Sequence, residues 1–155
     1  MNVAVQAAPP VIREPLCQAV FAIISACYTW ANAPTRRLKM WDKIPPEQMP
    51  AYFQFERGTE TWDWKNNLVN PVRRFELWEF FYVTSSDETP GAPQVNAILD
   101  AVDWALRAPA AIDPTGRLTL GGLTFQARIK SVPIREPGDL TGTGIVVAQV
   151  EVIVP

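Results

Sequence analysis

Asp100 and Asp103 stand three residues apart where a helix would set both on one flank, a spacing that can serve a general acid and a general base. Arg107 follows Asp103 by four, and the ion pair favoured by that spacing is the plainer account of the cluster. Ser85, Ser86 and Ser131 become nucleophiles only beside an activating base, and the chain contains no histidine. The same gap removes the commonest metal ligand. Asp87 and Glu88 offer oxygen to a hard cation, but they lie in a polar turn where carboxylates ordinarily face water. Gly116 and Gly121-Gly122 have the spacing of a phosphate loop without the Lys-Ser/Thr that holds phosphate and metal, so they read as a turn. Cys17 and Cys27 are ten positions apart in one expected helix, about 15 Å, too far for a disulfide within the chain. They read as small buried hydrophobes. No catalytic, cofactor-binding or metal-binding set is expected.

Composition narrows the class further. At 155 residues the chain is expected to form one domain with a single core, residues 13–155, preceded by a flexible arm over 1–12. A net charge of -2 and a pI near 5.2 give no global positive field, which disfavours specific nucleic-acid binding. Arg36, Arg37, Lys39 and Lys43 form a basic cluster, but alternation along a strand would split Arg36 from Arg37 across two faces. The longest apolar stretch, 19–26, is far short of a membrane span, and the first ten residues lack a basic segment before an apolar run. The expectation is a soluble cytoplasmic protein with no membrane partner.

The elements that would position these groups follow from periodicity. Leu16, Val20, Ile23, Ile24 and Cys27 recur at helical spacing after Pro15, and the back of that helix carries almost no charge. Residues 36–41 alternate as a short strand, 44–50 with three prolines form an irregular connection, and 51–56 read as a second strand. An excursion over 57–70 leads to the longest strand, 72–84. There Phe75, Leu77, Phe81 and Val83 face one way and Trp78, Phe80 and Tyr82 the other, so both faces should be covered. A second helix from Pro93 to Arg107 carries Val95, Ile98, Leu99, Val102 and Leu106 on one arc, with Trp104 pointing away. Residues 123–129 alternate as a one-sided strand, 133–144 form a loop, and 145–154 make a Val- and Ile-rich last strand. The expected fold is α+β, a largely antiparallel sheet of about five strands with two helices packed on it, in the order α-β-β-β-α-β-β. Val146, Val150, Val152, Phe125, Ile129, Leu77 and Phe81 should line its core.

The stretch Arg36-Arg37-Leu38-Lys39-Met40-Trp41, followed by Pro45-Pro46 and Met49-Pro50-Ala51-Tyr52-Phe53-Gln54, lies between the apolar helix and the aromatic strand. In that setting it resembles the tail terminator, or tail completion, proteins of long-tailed bacteriophages, with the wording "RR-L-x-x-W … P-P … x-P-A-x-F-Q". The resemblance implies a structural virion protein, not an enzyme. Such a protein assembles with itself as a ring, commonly a hexamer, on the tail tube. There it stops polymerisation of the tail tube protein and presents a surface to the head-tail connector protein. Another neck or connector component, or a small ligand-binding domain, is the alternative. Interface candidates come from the aromatics that the core does not claim, Trp62, Trp64 and Trp104, with Arg57 and Glu60 from the same excursion as the first two. Thermal-shift screening against nucleotides, divalent metals and common cofactors is expected to give no saturable stabilisation. A reproducible shift with one of them would favour the ligand-binding alternative.

Overall fold

A computed structural model of the chain describes residues 12–64, 71–107 and 126–154. Helix α1 spans Arg13–Cys27, strands β1, β2 and β3 span Ala51–Phe55, Glu60–Asp63 and Val72–Thr84, helix α2 spans Gly91–Arg107, and β4 and β5 span Gln126–Glu136 and Thr143–Val154. Single 3-10 turns at Trp41–Lys43 and Pro46–Gln48 interrupt the approach to β1. The five strands form one antiparallel sheet in the order β1-β3-β5-β4, with β2 also on β3. β3 is long enough to serve two short partners end to end: Trp78 to Tyr82 pair with β1, and Val72 to Phe75 pair with β2. Its opposite edge pairs with β5 from Arg73 to Thr84.

Pleating then sorts the side chains. Phe75, Leu77, Phe81 and Val83 of β3 join Val146, Val150, Val152 and Val154 of β5 on the helix face. Leu16, Val20 and Ile24 of α1 and Val95, Ile98, Val102 and Leu106 of α2 close over them. On the opposite face Ala51, Phe53 and Tyr82 meet Ile44 and Met49, with Leu38, Phe80 and Ile145 packed alongside. β3 is therefore covered on both faces along its second half, as its apolar pattern demands. Of the expected core, Val146, Val150, Val152, Leu77 and Phe81 are buried and Ile129 packs against them, while Phe125 lies outside the described residues. Both helices start two residues before a proline, Pro15 in α1 and Pro93 in α2, which a first turn accepts because its N–H groups have no helical partner. Gly91 opens α2 because a Cβ there would lie 1.8 Å from the Pro137 carbonyl oxygen.

Three sequence expectations change. The strand expected over 36–41 does not form. Thr35 alone bridges β1, its N–H on the Tyr52 carbonyl and its own carbonyl accepting from Gln54 N–H, after which the chain crosses to the far face of the sheet. Alternation there reflects Arg36 turning toward α1 while Leu38 packs under the far face, a pattern that a covering segment shares with a strand. The excursion over 57–70 contains a strand after all: Gly58, at φ +145 and against the Glu76 backbone, turns the chain so that 60–63 lie along β3. All four residues of β2 are exposed, so no burial rhythm announces it. Last, β4 runs on through Pro133 to Glu136 where a loop from 133 was expected. Register shifts between Ile129 and Ile134 and a position at the sheet edge accommodate the proline. The order of elements differs accordingly, with β2 in place of the strand at 36–41.

Leu77→Ala should cost on the order of 2 to 5 kcal/mol in chemical denaturation, because the cavity opens under α1 and α2. Leu140→Ala, in the exposed turn before β5, serves as the control and should leave the midpoint in place.

Candidate assembly surface

The edge of the sheet that carries β1 and β2 is built around two ion-pair clusters. Arg36 leaves the Thr35 bridge toward the first turn of α1, where its guanidinium donates to both Glu14 carboxylate oxygens at 2.5 and 3.1 Å. It also pairs with Glu56, just past β1. Three segments are tied by one planar fork, a task for which guanidinium geometry is suited. Beside it Arg13 donates to Glu60 of β2 at 2.8 and 2.9 Å, and the same guanidinium lies 5.7 Å from the Phe75 ring. Arg57 stacks 5.3 Å from the centre of the Trp78 ring on the far face. Between α1, the Gly58 turn and β3 lies a cleft of about 180 Å³, floored by Leu16, Phe75, Leu77 and Val152 and rimmed by Arg13, Glu56, Arg57 and Glu60. It is smaller than the few hundred Å³ usual for a small-molecule site.

Of the interface candidates, the fold brings Arg57 and Glu60 together at this cleft. Trp62 follows Glu60 by two on β2 and so shares its face, opposite Arg73 of β3. Trp62 and Trp64 are 45% and 49% exposed. Trp104 stands apart on α2, 62% exposed, while its neighbours Val102 and Leu106 are fully buried. α2 packs against β4, β3 and β5, and Trp104 lies on its side opposite the buried stripe of Val95, Ile98, Val102 and Leu106. Met40 and Trp41 form another exposed apolar pair, at the 3-10 turn between Leu38 and Ile44, which pack on the far face.

Of the groups weighed for chemistry, Ser85, Ser86 and Asp87 share one hollow, while Asp100 and Asp103 lie on α2 and Ser131 on β4. Asp103 accepts from Arg107 at 3.2 and 2.5 Å, the i,i+4 pair expected of the helix flank. Asp87 borders an open polar hollow with Ser85, Ser86 and Asp139, and among the described residues no three His, Cys, Asp or Glu side chains converge as a metal site. No helix among the described residues is long and apolar enough to cross a membrane.

Sequence reasoning missed the carboxylate that the fold encloses completely. Glu79 of β3 is 0% exposed, in phase with Leu77 and Phe81 on the helix face. Tyr52 Oη donates to its carboxylate at 2.7 Å and Gln54 Nε2 at 3.3 Å; Gln54 Nε2 also donates to the Cys17 carbonyl of α1 at 3.1 Å. Gln54 Oε1 and Arg36 Nε are buried without a hydrogen-bond partner. Burial pushes the Glu79 carboxyl up to about 7, against the opposing pull of its two donors and of Arg36. Burial and the adjacent Glu79 carboxylate together push the Tyr52 hydroxyl far above its ordinary range. A carboxylate interrupting an apolar alternation between Leu77 and Phe81 was the available signal. Trp30 was missed likewise: it stacks 5.7 Å from Phe81 and donates from Nε1 to the Ser25 carbonyl.

Both cysteines are half-buried free thiols. Burial first, and the nearby Glu56 second, push Cys17 up to about 12, and burial pushes Cys27 up to about 11. A raised thiol value leaves little thiolate at pH 8, so an aromatic disulfide reagent should modify the folded protein on the order of 100-fold more slowly than the denatured chain. Equal rates would contradict the packing of α1. No protein-family model matches the chain, and no curated protein matches it.

Proposed function

We propose that the chain is a structural assembly subunit, a tail terminator of a long-tailed bacteriophage that caps the tail tube as a ring. The carrying observation is the exposure of Trp104 on α2, of Trp62 on β2 and of Trp64 just past it. One patch is carried by a helix and the other by a strand that pairs with β3 on the side of β1, so they are separate. A closed ring needs heterologous contacts, in which one patch of a subunit meets a different patch of the next, and two separate aromatic patches supply that kind of surface. Indoles are enriched where binding energy concentrates, and burying one contributes roughly 2 kcal/mol. The resemblance carried by Arg36 to Gln54 supplies the identity of the assembly. Its partners are further copies of this chain, the tail tube protein and the head-tail connector protein.

The sheet edges support side-chain contact over strand addition. Thr35 bridges the outer edge of β1, β2 is only four residues long and carries Glu60 and Asp63, and β4 carries Pro133, Lys130 and two register shifts. Each device discourages another strand from pairing along the edge.

Trp104→Ala, and separately Trp62→Ala combined with Trp64→Ala, should keep the circular-dichroism spectrum and unfolding midpoint while abolishing either ring formation or tube capping. Multi-angle light scattering reports the first loss, and overlong tubes in electron micrographs report the second. Folded variants that still form rings and still set tube length would overturn the proposal.

A further inference from the structure

The seam between α1 and the sheet confines more negative than positive charge. Facing Glu79 are Tyr52 and Gln54 from β1 and the Cys17 backbone from α1; Ala148 of β5 is its partner across the ladder. Arg36 and Glu56 act on Glu79 through space, with opposite signs. Cys27 of α1 lies close enough to Tyr52 to act on it, and Glu14 completes the cluster through Arg36. α2 presents apolar Val95, Ile98, Val102 and Leu106 to the same core. The guanidinium of Arg36 is engaged by Glu14 and Glu56, which leaves the enclosed third carboxylate, Glu79, held by two neutral donors.

We propose that Glu79 is a proton-operated latch between α1 and the sheet: protonated, it lets the N-terminal half of α1 clamp over β1 and β3, and ionised, it leaves an enclosed charge that loosens that half of the helix. The bond to Cys17 is the mechanical link, because Gln54 Nε2 serves both the α1 backbone and the Glu79 carboxylate. The two N–H groups of the Gln54 amide make one bond each, so an ionised Glu79, attracting its own N–H more strongly from 3.3 Å, tilts the amide off the Cys17 carbonyl. The same half of α1 carries Arg13 and Glu14, so its release also loosens the ties to β2 and to Arg36. The C-terminal half, where Trp30 is bonded back to Ser25 and stacked on Phe81, stays anchored.

Linkage gives the direction. A carboxyl raised from 4.5 to about 7 in the folded state binds more protons there than in the unfolded chain. Its stabilising share is therefore complete below 4.5 and is lost as pH rises through about 7. Glu14 and Glu76, held below the ordinary carboxylate value chiefly by hydrogen bonds from Arg36 and Thr59, act in the opposite sense at acid pH. The informative window lies between them.

Hydrogen-exchange mass spectrometry of the full chain at pH 6 and pH 8, corrected for intrinsic exchange, tests the latch. Amides in the N-terminal half of α1 should lose protection by about tenfold at pH 8 while α2 is unchanged. Glu79→Gln should protect α1 equally at both values. Tyr52→Phe removes a donor to the charged form, so the midpoint of the α1 transition should move to higher pH. It also decides the matter should Glu79→Gln fail to fold. Equal α1 protection at both pH values in the unmodified chain, pH dependence surviving Glu79→Gln, or an unmoved midpoint in Tyr52→Phe would each overturn the proposal. Ring formation plays no part in these measurements.

Discussion

The antiparallel ladder between β3 and β5 is the constraint on which the rest depends. Its register, from Arg73 opposite Val154 to Thr84 opposite Thr143, decides which side chain faces the helices and which faces away. A slip by one residue would carry Phe75, Leu77, Phe81 and Val83 to the far side and bring Trp78 and Phe80 under α1 and α2. Because β3 outruns β1, its first residues would leave an unpaired edge. β2 occupies that edge, and with it the chain places Glu60 beside Arg13 and Trp62 on the helix face. The exposed aromatics near β2 are thus a consequence of strand length, not a separate feature.

How much of this was legible in the sequence depends on whether burial leaves a rhythm. α2 shows one clean apolar arc and β3 a clean alternation, and both elements appear close to their expected limits. β2 shows none, because a four-residue strand on an exposed edge is held by backbone pairing, with no core face to fill. Residues 36–41 show a rhythm of the wrong origin, since a segment folded over a sheet can alternate between an ion pair and an apolar contact without any ladder. Pro133 is a strong stop signal in a central strand and a weak one at an edge, and only the sheet order separates the cases. At the surface, Trp62, Trp64 and Trp104 were legible as aromatics without a core position, whereas the enclosure of Glu79 needed the facing of two strands and a helix at once.

The segment that carries the family resemblance now has a physical task. Arg36 joins α1 to β1 through Glu14 and Glu56; Leu38, Ile44 and Met49 cover the far face; Tyr82 Oη donates to the Lys39 carbonyl at 2.7 Å. Tyr52 and Gln54 reach inward to Glu79 while Ala51 and Phe53 reach outward, so one short strand stitches both cores. Wording of this kind reflects how the two faces are closed. The exposed aromatics proposed as contact residues, Trp62, Trp64 and Trp104, lie outside that segment.

A core built for stability alone would not place Glu79 where it stands. A well-packed apolar side chain of similar size is often neutral or better than a buried charge, because desolvation exceeds what imperfect pairing returns. Here the pairing is imperfect: two neutral donors hold the carboxylate and the nearest guanidinium is committed elsewhere. The cost is limited because the group can take up a proton near neutral pH, which an apolar residue cannot do and a surface carboxylate would do only in acid. Enclosure, two donors and one distant cation together set the proton affinity of the seam. Moving Arg36 onto Glu79 would strengthen the charged form and abolish that sensitivity, while removing Tyr52 Oη would weaken it. The arrangement sits between these limits, and the element whose hold on the sheet it governs is the helix that also anchors Arg13 and Glu14 at the cleft beside β2.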